Sequence, residues 1–149
     1  MPIDRLIVCG LLVALTMLQQ APAESGRPHS YSHGTISNTC GPTDIPELVL
    51  LLAEKPMWCS DQPPRHYIHV SVNGPFPQTI TLPAKNPYGQ AYRAEENEKG
   101  IVVNQAAVSG TIVIDRSGRK GHYELIFKNG DIEAGDFKVT ECISRIVCP

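Results

Sequence analysis

Cysteine and histidine offer the widest chemistry in this chain, because both residue types bind metals and both serve in catalysis. The chain contains five of each. The four later cysteines are Cys40, Cys59, Cys142 and Cys148. Zinc sites usually use cysteine pairs about two to four residues apart, but 18 residues separate the first two of these and five separate the last two. The spacing therefore predicts two disulfides in an oxidising compartment, and it contains no Cys-x-x-Cys redox motif.

The disulfide pairing has three alternatives. If residues 48–53 form a strand, Cys40 and Cys59 lie near its opposite ends, and loops would have to fold back to bring their Cα atoms within about 7 Å. This favours bridges from the opening segment to the C-terminal tail. The local pairing, Cys40 with Cys59 and Cys142 with Cys148, stays open as an alternative.

The five histidines do not form a metal-binding pattern. His29 and His33 are four residues apart in a polar segment with no helix signal to align them. His66 and His69 are three apart, a spacing that sends side chains to opposite faces of a strand. His122 follows a turn and is expected to point outward. We therefore predict no metal site and no cofactor.

No catalytic motif is present. The chain contains neither Gly-x-Ser-x-Gly nor His-Glu-x-x-His, and oxidised cysteines have no thiolate. We predict a non-enzymatic protein. The candidate partner-binding residues are Tyr88, Tyr92 and Arg93, in a loop rich in Pro, Asn and Gly, because Tyr and Arg are enriched at binding hot spots. The alternative is that the tyrosines only cover the edge of the core.

The N-terminus has the features of a secretory signal peptide. Arg5 precedes an apolar run over residues 6–18, and Ala21-Pro22-Ala23 supplies small residues for cleavage after Ala23. The run is shorter than the roughly 20 residues of a membrane-spanning helix. We predict a signal peptide over 1–23 and a secreted or periplasmic protein with no membrane span after cleavage. An uncleaved membrane anchor is the alternative.

Composition limits the remaining classes. The net charge of −2 at pH 7 offers no basic surface for nucleic acid. Thirteen prolines and 12 glycines favour short strands joined by turns. We predict a flexible leader over 24–39 and a single β domain over 40–149.

Alternating apolar residues predict strands over 66–72, 78–82, 108–115, 122–128 and 131–139, with 83–100 mostly loop. Residues 46–54 fit either a strand or a helix. Asn129-Gly130 predicts a two-residue hairpin turn, which places Lys128 opposite Asp131. In this register a β-bulge at Gly135-Asp136 is needed to bring Tyr123 opposite Phe137. The face formed in this way contains Tyr123, Leu125, Phe127, Ile132, Ala134, Phe137 and Val139, extended by Ile112 and Ile114. The expected fold is a small antiparallel sandwich or curled sheet with a C-terminal three-stranded meander, stapled by disulfides.

Two stretches carry a resemblance to known proteins. Cys40-Gly-Pro-Thr-Asp44, together with Gly121-His-Tyr-Glu-Leu-Ile-Phe-Lys-Asn-Gly130, Gly135-Asp-Phe137 and Cys142, resembles small secreted bacterial β domains of unknown function. The resemblance spans roughly residues 40–142. It implies a secreted β domain and a strand over residues 48–53, and it implies no catalytic residues.

The leading functional hypothesis is a secreted or periplasmic, non-enzymatic binding or structural domain for a protein or glycan of the cell envelope. An inhibitor or immunity-type protein acting on a partner enzyme is one alternative, and a small envelope hydrolase or metal-handling protein is another. A cavity joining a carboxylate to His66, His69 or His122 would favour the hydrolase or the metal-handling protein. A flat polar surface would favour binding.

The cysteine prediction can be checked by mass spectrometry. Alkylation of the exported protein should add no mass without reductant and should label four cysteines after reduction, because both bridges are expected to form. Free thiols in the unreduced protein would contradict the two disulfides.

Overall fold

A computed structural model describes residues 29–41, 46–72, 75–83, 90–144 and 148. These residues form eight strands and no helix, which confirms the mainly β fold, and they contain no helix long and apolar enough to cross a membrane. The strands are β1 (His33–Cys40), β2 (Pro46–Ala53), β3 (His66–Val72), β4 (Gln78–Leu82), β5 (Ala91–Glu96), β6 (Val102–Ile114), β7 (Lys120–Phe127) and β8 (Ile132–Cys142).

All eight strands belong to one curled sheet in the order β4-β6-β5-β3-β2-β1-β8-β7. β6 pairs with β5 along its first half, and with β7 and β4 along its second half. Because β6 also pairs with β7, seven strands form a closed ring, and β4 adds to the second half of β6. β6, β7 and β8 form the expected meander.

The inside of the ring holds the apolar core. Alternate residues on each strand point inward, as Ile68, Val70 and Val72 do on β3. Each such aliphatic or aromatic side chain contributes about 1.5–3 kcal/mol on burial. The expected core residues that are buried are Ile68, Val70, Val72, Ile80, Leu82, Ile112, Ile114, Tyr123, Leu125, Phe127, Phe137 and Val139.

β6 closes the ring by bending. Its pairing with β7 slips by one residue between Ala107 and Ser109, which is a β-bulge. Gly110 follows with φ of +136°, and a Cβ at this position would lie 2.1 Å from the backbone oxygen of Glu124 on β7. The close approach of the two strands therefore requires glycine.

The flexible leader expected over 24–39 is wrong for residues 33–39, which lie in β1. β1 pairs with β2 on one edge and with β8 on the other, so backbone hydrogen bonds stabilise a strand whose side chains are mostly polar. Its pairing with β8 is parallel, so the sheet is mixed and not wholly antiparallel. The signal peptide predicted over 1–23 lies outside the described residues.

Two further segments are settled by their pairing. Residues 46–53, for which a helix and a strand were both open, form β2 between β1 and β3. The loop expected over 83–100 is wrong for residues 91–96, which form β5 between β3 and β6. The charged sequence of β5 lacks the apolar alternation that marks the other strands.

The loop of the hairpin between β7 and β8 is one residue longer than expected. Phe127 donates its N–H to Asp131 and accepts from Gly130, so the loop has three residues, and Gly130 adopts φ of +91°. This is the three-residue hairpin type in which a left-handed glycine forms the last loop position. The predicted pair of Lys128 with Asp131 is therefore wrong.

The register of β8 changes with that turn. Tyr123 lies opposite Gly135, and the pairing continues to Phe137 opposite Gly121 without the predicted bulge at Gly135-Asp136. Ile132 and Ala134 consequently point outward, and Glu133 points into the ring. The expected inward places of Ile132 and Ala134 are wrong for this reason.

Both disulfides join distant parts of the chain. Cys40 bonds to Cys148 and Cys59 to Cys142, with Cα atoms 5.5 and 5.4 Å apart. Bridges between the opening segment and the C-terminal tail are thus confirmed, and the local pairing is wrong. The Cys59–Cys142 bridge holds the 54–65 segment against β8, where Thr140 Oγ1 also donates to the Met57 carbonyl at 3.3 Å. The two disulfides indicate an oxidising environment.

Two glycine substitutions test the closure of the ring. Gly130→Ala should lower the free energy of unfolding by about 1–2 kcal/mol, because only the left-handed backbone is strained and no atom lies within 4 Å of the new Cβ. Gly110→Ala should cost at least about 3 kcal/mol, because overlap with β7 adds to the backbone strain. Urea denaturation with both disulfides intact measures the two costs, and equal costs would contradict the role of Gly110.

Candidate functional site

The interior of the ring changes from apolar to polar at one end. β2, β5 and β7 finish at this end, while β1, β3, β6 and β8 begin there. At this end, inward-facing side chains from the last residues of the strands lie close to side chains from the segments that flank the strands. We call this group the polar end; it consists of His29, Glu54, His66, Arg93, Glu95, Gln105, Asp131 and Glu133.

The pairing of β3 with β5 positions two of these residues. His66 lies directly opposite Glu95. His66 precedes buried Ile68 by two residues, and Glu95 follows buried Arg93 by two. Because side chains two apart on a strand share a face, both point toward the inside of the ring at its open edge.

Arg93 is the centre of the polar end, with a side chain only 3% exposed. Its Nη1 donates to Glu133 Oε1 at 2.9 Å, and its Nη2 donates to Gln105 Oε1 at 2.9 Å and Asp131 Oδ2 at 2.6 Å. Nε lies 3.0 Å from Glu95 Oε1, although the angle there is not that of a hydrogen bond. A buried guanidinium is stable only when its charge and donors are matched in this way.

Glu133 is the buried partner of Arg93, and its side chain is 6% exposed. Burial raises the pKa of the Glu133 carboxyl above its usual value, against the opposing effect of Arg93. Asp131 lies at the exposed side of Arg93, and the hydrogen bond from Arg93 lowers the pKa of the Asp131 carboxyl. The ring of Phe127 lies below the guanidinium, 4.7 Å from its carbon to the ring centre.

The segment before β1 brings His29 to the same end. The His29 ring stacks on His66 with centres 5.3 Å apart and planes 14° apart. Its Nδ1 pairs with Glu54 Oε1, just after β2. Ligand atoms of His29, His66 and Glu95 all lie within 4.8 Å of one another. These three side chains thus form a group of donors suited to a metal ion.

A cavity of about 360 Å³ opens beside the polar end. The 54–65 segment forms much of its wall, together with the end of β2 and the start of β3, and Glu54 and His66 both line it. The cavity therefore joins a carboxylate to His66, which is the arrangement that favours a metal-handling protein or a hydrolase over a flat binding surface.

The predicted partner-binding residues do not form one surface. Arg93 is buried inside the ring, so its place in an exposed loop is wrong. Tyr92 is the neighbouring residue on β5 and points outward, where it stacks on His69 with ring centres 4.5 Å apart. Tyr88 lies outside the described residues. The period-2 alternation of β5 separates Tyr92 from Arg93, because it sends adjacent side chains to opposite faces.

His66 and His69 lie on opposite faces of β3, as their spacing predicted. Burial lowers the pKa of His69, which packs on the outer face. The partner of His66 is instead His29, which was predicted to lie in the flexible leader. Glu133 was also missed, because a two-residue turn at Asn129-Gly130 would direct the Glu133 side chain to the outer face of the sheet. The signal for Glu133 in the sequence is small: a polar residue at an inward position of an otherwise alternating strand. His29 lies before β1 and leaves no such signal.

Comparisons with protein-family models, with curated proteins and with solved structures find no match to this chain. The resemblance to small secreted bacterial β domains therefore stays a prediction.

The raised pKa of Glu133 makes a prediction about stability. The folded state binds a proton at Glu133 more tightly than the unfolded chain does, so this residue's contribution to stability is present at low pH and falls as pH rises through its folded pKa. Wild-type protein should therefore lose stability relative to Glu133→Gln as pH rises from about 4 to 7. Urea denaturation across this range, in EDTA, measures the difference. A difference that is constant or that grows in favour of wild type would contradict the raised pKa.

Proposed function

We propose that this protein is an exported binding domain, secreted or periplasmic, that binds a positively charged group of a cell-envelope protein or glycan at the polar end. The observation that carries the proposal is the surplus of acidic groups there. Glu54, Glu95, Asp131 and Glu133 supply four carboxylates, and Arg93 is the one guanidinium paired among them. A cationic group entering from the neighbouring cavity would offset this surplus.

The surroundings of the site support binding from outside. Glu54 is partly exposed and lines the cavity, so a ligand that fills the cavity reaches a carboxylate. Lys55 and Arg65 line the cavity beside Glu54 and Asp61, so the charges of the cavity wall are balanced and the acidic surplus lies at the polar end. The Cys59–Cys142 bridge fixes the cavity wall to β8. A wall held in this way is ordered before binding, which lowers the entropy cost of association. Export is supported by the two disulfides and by the signal-like sequence over 1–23.

A second candidate function is the inhibition of a partner enzyme through the outer face of the meander. Ile126 on β7 lies opposite Ile132 on β8 and next to the β6 bulge that contains Val108. Ile132 is 63% exposed and Val108 45% exposed. Contiguous exposed apolar side chains mark protein-docking surfaces when the patch is large enough, and these residues supply the apolar part of such a face.

The two candidates differ in where a probe binds. In NMR titrations of the disulfide-bonded protein in EDTA, trilysine and glucosamine should shift amide resonances at the polar end. Acetylated trilysine and N-acetylglucosamine, which lack the charges, should not. Glu54→Gln should weaken binding of the charged probes about three- to tenfold, because one charge interaction of up to about 1 kcal/mol or slightly more is lost.

Glu124→Gln is the matched control, because Glu124 is an exposed carboxylate on the outer face of β7; it should leave probe binding unchanged. Equal shifts with charged and acetylated probes, or no shifts at the polar end, would overturn the proposed site. Shifts confined to the face around Ile126 and Ile132 would likewise overturn it.

A further inference from the structure

We infer that the polar end binds one divalent transition-metal ion through His29, His66 and Glu95. The inference deepens the proposed function, on which it rests for the placement of a positively charged ligand at this end of the ring. It names a different occupant, an inorganic cation, and assigns its ligands.

The first argument is the position of the donor atoms. One ligand atom from each of the three residues lies within 4.8 Å of the other two. Around a tetrahedral zinc ion with bonds of about 2.0–2.1 Å, ligand atoms lie about 3.4 Å apart. The donor atoms would therefore have to approach one another by about an ångström, a movement on the scale of side-chain rotation, to bind one ion.

The second argument is an unpartnered nitrogen. His66 Nδ1 is buried and has no hydrogen-bond partner among the described residues. A buried imidazole nitrogen without a partner loses its hydration and gains no hydrogen bond in return, which destabilises the site. A metal ion on the imidazole would give the ring a strong partner and fix its orientation.

The third argument is the contact between His29 and Glu54. The Nδ1 of His29 pairs with Glu54 Oε1. Histidines that bind metals commonly donate their other ring N–H to a carboxylate, which orients the ring and makes the ligand nitrogen more basic. In this arrangement Glu54 orients His29, and Nε2 of His29 is the nitrogen that binds the ion.

The charges at the polar end favour a divalent ion. Glu95 already faces Arg93, whose other donors are taken by Glu133, Asp131 and Gln105. Carboxylates outnumber the one guanidinium even after all these pairs are formed. The remaining negative charge would offset the charge of a divalent ion. The contact with the Arg93 guanidinium also keeps the Glu95 carboxylate charged beside the site.

The donor set selects the kind of metal. Two imidazoles and one carboxylate suit zinc and copper, whereas calcium and magnesium prefer oxygen ligands alone. Three protein ligands leave a coordination position for water or for a group from the cavity. The ion would thereby join the polar end to the cavity next to it.

Calorimetric titration of the untagged, disulfide-bonded protein with Zn²⁺ and with Ca²⁺ tests the inference. One equivalent of Zn²⁺ should bind, and Ca²⁺ should give no binding at the same concentrations. His29→Ala and His66→Ala should each weaken Zn²⁺ binding by more than about 100-fold, and Glu54→Gln by about tenfold, as expected for a group that orients a ligand. His122→Ala is the matched control, since His122 lies on the exposed outer face of β7, and should bind as wild type does.

The variants remain informative if one of them is unstable. His66 lies within β3, but His29 precedes β1, so His29→Ala should keep the fold, which near-UV circular dichroism checks. Zn²⁺ binding that survives both histidine substitutions, or Ca²⁺ binding as tight as Zn²⁺ binding, would overturn the inference.

The outcomes also separate this inference from the proposed function. Failure of Zn²⁺ to bind, with charged organic probes still binding in EDTA, would overturn the metal site alone. Zn²⁺ binding with no response to those probes would support the metal site and overturn the proposed class of partner.

Discussion

The charge of Arg93 inside the ring constrains the rest of this end of the molecule. A buried guanidinium without partners would cost several kcal/mol, so the polar side chains around the group have to match its charge and its donors. Glu133 comes from β8, Gln105 from β6, Glu95 from β5 itself and Asp131 from the turn before β8. The network therefore depends on the register of four segments at once, and a slip of one residue in any of them would remove a partner.

Ring closure makes this matching feasible. β6 meets β5 with its first half and β7 with its second, and the bulge and Gly110 let it bend between them. The apolar side chains fill the middle of the ring, where no polar partner is available. The polar residues gather where the ring is open to the 29–31 segment and to the cavity under residues 54–65. The Cys59–Cys142 bridge then holds that cavity wall in place.

The strands with regular apolar alternation could be predicted from the sequence, as β3 was from Ile68, Val70 and Val72. β1 and β5 could not, because pairing on both edges stabilises these strands and neither has a hydrophobic alternation. In β5 the matched charge of Arg93 adds to this pairing. The residues of the polar end could be predicted only in part, for the same reason. Arg93 was predicted as a functional residue, but in an exposed loop. Glu133 was not predicted, because the loop at Asn129-Gly130 is one residue longer than expected and this reverses the face on which Glu133 lies.

The amino-acid sequence by itself determined the class of the protein: a mainly β chain whose cysteine spacing calls for two disulfides. These properties follow from local alternation and from composition, which need no knowledge of distant contacts. Only the tertiary structure decided which cysteines pair, that Glu133 faces inward, and that His29 lies on His66 beside Glu95. Each of these depends on how the ring closes, and closure is set by the combined register of strands far apart in the chain.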